Sequence, residues 1–132
     1  WQETSRITSV TRTVRVAPPN SLIFLWDERG GAVPEFVANK LVLATSSAVS
    51  VGCLAEMDGE TEITLGPTGD VDTRGLKVFD DVLETPTRRI VVETSEGEIL
   101  LREDVSSNRV HVGIWVNRYV EPDKIVVGWK TL

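Results

Sequence analysis

The side chains able to do covalent or metal chemistry are scarce in this sequence. The chain of 132 residues has one histidine, His111, and one cysteine, Cys53. A structural zinc site needs four cysteine or histidine ligands, and a catalytic one typically three protein ligands that include histidine. Two such residues build neither. Asp70 and Asp72 in GPTGDVDTRG (66–75) could offer oxygen to calcium. An EF-hand loop also needs a third spaced acid and a glutamate at its twelfth position, and both are missing. The reading is therefore a solvated loop, the best candidate for mobility in the chain, and no metal or cofactor. Cys53 shares an alternating phase with Val49 and Val51, which predicts a buried thiol and not a nucleophile paired with His111. No G-x-S-x-G elbow and no glycine-rich phosphate loop is present. Asp80-Asp81, Glu93 with Glu96 and Glu98, and Glu103-Asp104 are carboxylate groups. Glycoside hydrolysis needs two carboxyls facing each other across a cleft, whereas neighbouring acids in turns face water. No catalytic residue is assigned, and the expectation is a protein that is not an enzyme.

What remains is surface. In RVHVGIWVN (109–117) a strand sends alternate side chains to opposite faces. Val110, Val112, Ile114 and Val116 form an apolar phase, expected in the core. Arg109, His111, Gly113, Trp115 and Asn117 form the other. The chain has four tryptophans and one tyrosine, and aromatic and arginine side chains are favoured at binding hot spots. Arg109, His111, Trp115 and Asn117, with Trp129 of the last strand, are thus a candidate contact stripe. The competing reading has Trp115 covering Gly113 or packing under a loop. Trp129 shares a phase with Ile125 and Val127, and the register that would place it on either face is open.

The elements around this stripe are short β-branched runs divided by turn residues. Strands are expected within 6–16, 21–26, 39–45, 47–57, 61–65, 88–94, 99–105, 109–117 and 124–132. SLIFLW (21–26) reads as buried on both sides, ending in Trp26. Asp58-Gly59 predicts a tight turn returning 47–57 into 61–65 as a hairpin. LKVFDDVLETP (76–86) fits a strand or one helical turn. No segment longer than ten residues shows the i, i+3, i+4, i+7 spacing of a surface helix. The prediction is one domain over 1–132: an all-β, antiparallel, jelly-roll-like β-sandwich of about eight or nine strands, with little or no helix.

Composition narrows function. There are 20 acidic and 14 basic residues, a formal charge of −6. This argues against a nucleic-acid binder, whose footprint is basic, and suits a basic protein partner. A lone cysteine and no leader pattern predict a cytoplasmic protein. No apolar run approaches the length of a membrane span. Exposed sandwich edges leave a homodimer through strand pairing open.

The second half has a recognisable cadence. It runs from LKVFDDVLETPTRRIVVETSEGEILLREDV through NRVHVGIWVN to KIVVGWKT, with T-P and a basic pair before I-V-V and then R-V-x-V-x-I-W. Residues 76–132 resemble the family of small bacterial β-sandwich proteins typified by competence protein J, a nuclease inhibitor. The resemblance implies a non-catalytic acidic protein that binds a partner, and it assigns no residue a role. The expected function is an inhibitor or immunity-type module for a basic protein such as a nuclease. The alternative is a small-ligand or carbohydrate-binding sandwich with tryptophans as stacking platforms.

Overall fold

A computed structural model describes residues 11–132, so part of the first predicted strand, 6–10, lies outside the described residues. Ten strands form: β1 Arg12–Val16, β2 Leu22–Asp27, β3 Val42–Ala44, β4 Ala48–Gly52, β5 Thr61–Pro67, β6 Leu76–Glu84, β7 Arg89–Thr94, β8 Ile99–Asp104, β9 Arg109–Val116 and β10 Lys124–Thr131. They make two five-stranded sheets, ordered β1-β5-β10-β9-β6 and β3-β4-β2-β7-β8. The sandwich is all-β as expected, with ten strands in place of eight or nine. The ambiguous 76–86 segment is strand because β6 pairs along its length with β9, with one bulge between Lys77 and Phe79. Every described strand pair is antiparallel except β5–β10, which is parallel.

That parallel pair reflects a connection the turn chemistry did not reveal. Gly59 takes φ +137° at the expected turn. Yet β4 and β5 belong to different sheets. The link is a crossing between layers, not a hairpin, built on a 3₁₀ turn at Glu56–Asp58. The alternating phase of 47–57 therefore stops at Cys53. Val49, Val51 and Cys53 are buried, whereas Met57 is 97% exposed. The 88–94 and 99–105 hairpin forms as expected between β7 and β8.

The core lies between the sheets. Ile23, Leu25, Val49 and Val51 face Ile63, Leu65, Leu83, Ile114, Ile125 and Val127 in one cluster. Burying a side chain of this size contributes roughly 1.5–3 kcal/mol. β2 is buried on its inner phase only. Trp26 is half-buried on the outer face, stacked on Phe24 at 4.9 Å, with its indole N–H donating to Glu93 Oε1 at 3.0 Å.

On the outer face of the β1-β5-β10-β9-β6 sheet, three glycines stand level on adjacent strands. Gly128 is paired with Gly66 on β5 and with Gly113 on β9. Their missing side chains leave a trough. The 66–75 segment crosses it: a Cβ at Gly128 would lie 2.8 Å from Thr68 Oγ1 and 3.2 Å from Val71 Cγ2.

Two acids sit inside, Asp27 and Glu103. Glu103 is paired with buried Ile90, and its Oε2 accepts the Trp129 indole N–H at 2.5 Å, joining the two sheets. Glu103 is thus not a solvated turn carboxylate. Its other oxygen, Oε1, has no partner among the described residues. Burial raises its pKa, and the Trp129 hydrogen bond opposes this. A folded-state pKa above the unfolded one favours the fold at low pH, and that benefit fades as pH rises through the folded value. Glu103→Gln keeps an acceptor for Trp129 and removes the ionisation. It is expected to raise the melting temperature by about 4 °C at neutral pH, roughly 1 kcal/mol. The gain should vanish below about pH 4, where the wild-type carboxyl is protonated in both states. Thermal melts across that range check it.

Candidate partner-binding site

The structure separates the predicted contact stripe. Arg109 is exposed and His111 half-buried on the outer face of β9. His111 Nε2 contacts the Asp80 carboxylate of β6. Asp80 also accepts from Lys77 Nζ at 2.8 Å. The Lys77 bond, followed by the His111 charge, holds the Asp80 carboxyl below its usual range. Lys77 in turn lies 5.5 Å from the centroid of the Trp115 ring. Trp115 itself is only 7% exposed. Its ring fills the trough over Gly113, where a Cβ would come within 2.6 Å of it. Asn117 ties the β9–β10 loop together: its side-chain N–H donates to Asp123 Oδ1 at 2.7 Å, and its Oδ1 accepts from Lys124 N–H at 3.2 Å. Register settles Trp129. It is paired with Val112, while Lys130 is paired with His111, so Trp129 faces inward. Of the five stripe residues, His111 and Trp115 share the Asp80–Lys77 cluster, and Trp129 stands on the opposite face.

No nucleophile joins this cluster. Cys53 is buried, and burial pushes its thiol up to about 11, well into the inert range. Among the described residues, no group of three histidine, cysteine or carboxylate side chains is placed to hold a metal ion.

A different surface stands out from charge and exposure together. Residues 41–73 contain no lysine, arginine or histidine and six acids, so this run carries the whole formal charge of −6. Glu62 pairs with Arg15 at 2.8 Å. Asp72 pairs with Arg74 at 2.9 Å and Lys124 at 3.6 Å. Glu56, Asp58 and Glu60 have no ion pair among the described residues, and exposed Met57 stands among them. Their loop is bound to the β9–β10 loop by Leu54 N–H donating to Pro122 O at 2.9 Å. The β9–β10 loop exposes Tyr119 at 62% and Val120 at 74%. Beside both loops, a cleft of about 710 Å³ opens between β3 and β6. Leu41, Val42, Val78, Tyr119 and Val120 line it, with Lys40, Lys77 and Glu121 as its charged members. The base-free run is visible in the sequence. Its meeting with Tyr119 and Val120 is not, because that depends on the two loops sharing one end of the sandwich.

The fold and this site define a two-layer β-sandwich with a charged, partly apolar end. In a comparison with solved structures, this chain is similar to the crystal structure of ComJ from Bacillus subtilis, described as an inhibitor of the DNA degrading activity of NucA. The TM-score is 0.69 at 11% sequence identity, covering 92% of this chain and 96% of that one. The likeness therefore spans both halves, including the first, which carries no recognisable cadence. No protein-family model matches the sequence, and no curated protein sequence matches it. Among the described residues, no helix is long and apolar enough to cross a membrane.

Proposed function

We propose that this chain is a non-enzymatic protein-binding module of the inhibitor or immunity type, whose partner is a basic protein such as a nuclease. The observation that carries this reading is the charge map: the entire negative excess lies in residues 41–73, and half of it stands on one exposed loop without an ion pair among the described residues. Such a field attracts and orients a basic partner and raises its association rate. The shared fold with a nuclease inhibitor supports the same class. Arg109 and His111, the accessible positions of the β9 stripe with Asn117, stay in the proposal as secondary contacts. Trp115 and Trp129 serve packing.

The test is inhibition. The purified chain is expected to slow DNA cleavage by a nuclease encoded beside its gene, at low ionic strength and with a steep loss of effect as salt rises. No inhibition and no retention of any such nuclease at low salt overturns the reading.

A second reading, a small-ligand site, is favoured by the cleft of about 710 Å³, which lies within the usual size range for such sites. A metabolite or sugar that enters it must change the fluorescence of Tyr119 or shift the protein's melting temperature. Silence across a broad panel rejects this alternative.

A further inference from the structure

We infer that the partner docks on the end of the sandwich where the β3–β6 cleft opens, placing an apolar side chain in the cleft and lysine or arginine side chains across the 56–60 loop. This rests on the reading that the chain binds a basic protein, and adds where and by what chemistry.

Three observations converge on that end. The first is the distribution of charge along the sandwich. The 3₁₀ turn at Pro19–Ser21 packs on the one at Glu56–Asp58. Asn20 bonds Ser95 in the β7–β8 turn at 2.8 Å, so Glu96 and Glu98 join Glu56, Asp58, Glu60 and Glu121 at one end. The opposite end sets Arg29, Arg88, Arg109 and Lys130 against Asp70, Glu84 and Asp104 around the 85–88 and 105–108 turns, which are linked by Thr85 N–H donating to Asn108 O at 2.8 Å, so it carries no negative excess. The outer face of the β1-β5-β10-β9-β6 sheet offers no negative excess either. Its registers put Arg15, Lys77, Arg109, Lys124 and Lys130 there against Glu62, Asp80 and Glu84. On the other sheet, Arg89 and Arg102 are paired with Glu28 and Asp104. A basic surface therefore finds its complement at the acidic end alone among the described faces.

The second observation is apolar exposure at that same end. Tyr119 at 62% and Val120 at 74% line a cleft whose walls leave Val42 and Val78 partly uncovered, and Met57, at 97%, stands on the 56–60 loop that is bonded to theirs. An apolar anchor ringed by charge is the arrangement of an interface hot spot. Lys77 is neutralised by Asp80, and Lys40 is the cation of the cleft without an ion pair among the described residues. Lys40 and Glu121, of opposite sign, then leave the cleft without a net charge, which suits an uncharged entering group, with the partner's bases on the 56–60 side.

The third is rigidity. Beyond the Leu54–Pro122 bond, Glu62 N–H donates to Asp123 O at 2.8 Å. The Arg118 guanidinium donates to Val120 O at 3.2 Å and Glu121 O at 3.0 Å. The two loops form one preorganised surface, which lowers the ordering cost of binding.

The test uses the full chain, isotope-labelled, and two synthetic peptides of equal length and charge. One alternates lysine with leucine and phenylalanine; the other alternates lysine with serine. The first is expected to shift backbone amides at 54–60 and 117–121 and to bind about tenfold tighter than the second. The triple reversal Glu56→Lys, Asp58→Lys, Glu60→Lys should weaken it at least about tenfold. A charge-matched control, Asp70→Lys, Glu84→Lys, Asp104→Lys, changes net charge equally at exposed positions on the opposite end and should retain most of the affinity. All six positions are exposed, and melting curves confirm folding. Equal losses in both triple variants, equal affinity for the two peptides, or shifts centred on β9 overturn the inference. The nuclease assay above can fail while this mapping succeeds, and the reverse, so the two ideas fall separately.

Discussion

Replacing Asp27 with alanine is expected to destabilise the fold by about 3–5 kcal/mol, a large part of the ~5–15 kcal/mol typical of a whole domain. Asp27 ends β2 and is fully buried, at 0% exposure. Its Oδ1 accepts from the Thr87 backbone N–H at 2.9 Å and the Thr87 hydroxyl at 2.8 Å, and its Oδ2 accepts from Arg29 N–H at 2.9 Å. One carboxylate thus holds the exit from β2 to the turn before β7. Truncation strips three donors of their acceptor around a fully buried carboxylate, though Thr87 and Arg29 themselves reach the surface, and each donor left without a partner carries its own desolvation cost. An asparagine at this position would keep one acceptor oxygen but turn its NH₂ toward a donor. Asp27→Asn should therefore fall between wild type and alanine, about 1–3 kcal/mol down. Denaturant titrations of the three proteins check the ranking. If alanine and wild type unfold at the same midpoint, the carboxylate does not hold this junction.

The second large effect concerns Trp115 and Gly113. Trp115→Ala should cost about 3–5 kcal/mol, because a nearly buried indole leaves an unfilled trough. Gly113→Ala should cost about 1–3 kcal/mol for the opposite reason, since its methyl collides with the ring. A Cβ there meets the ring at 2.6 Å and 2.9 Å, and a Cβ at Gly75 would meet the Trp115 Cβ at 3.6 Å, so this side chain has close neighbours on both sides. In the double variant the added methyl occupies space the ring has left. The double variant is expected to be no less stable than Trp115→Ala alone, a coupling of about 1–3 kcal/mol. Strict additivity in a double-mutant cycle would show that ring and glycine do not share this space.

These two cases separate what is legible along a strand from what is not. The alternation of RVHVGIWVN predicts its inward set, and Val110, Val112, Ile114 and Val116 are indeed buried. The same phase argument buries Cys53, and the absent helical spacing yields an all-β fold. Strand phase is local: each side chain's face follows from the one before it. The pairing of Trp115 with Gly113 belonged to one of two readings of a single strand, and local geometry favoured neither.

Other features needed partners distant in sequence. Phase says that Trp129 opposes Val126 across β10, but the facing register with β9 decides that it points inward and meets Glu103. Turn chemistry places a bend at Asp58-Gly59, but sheet membership decides that β4 and β5 part there. Asp27 falls just past the strand predicted over 21–26, and it is the β2–β7 pairing that encloses it. Strand phases, the inert thiol and an acidic run without a single base all follow from the order of residues along the chain. The meeting of that run with Tyr119 and Val120 beside an open cleft follows only from the folded arrangement. Side-chain alternation is set within a strand, whereas register and sheet order are set by pairing and packing across the whole chain.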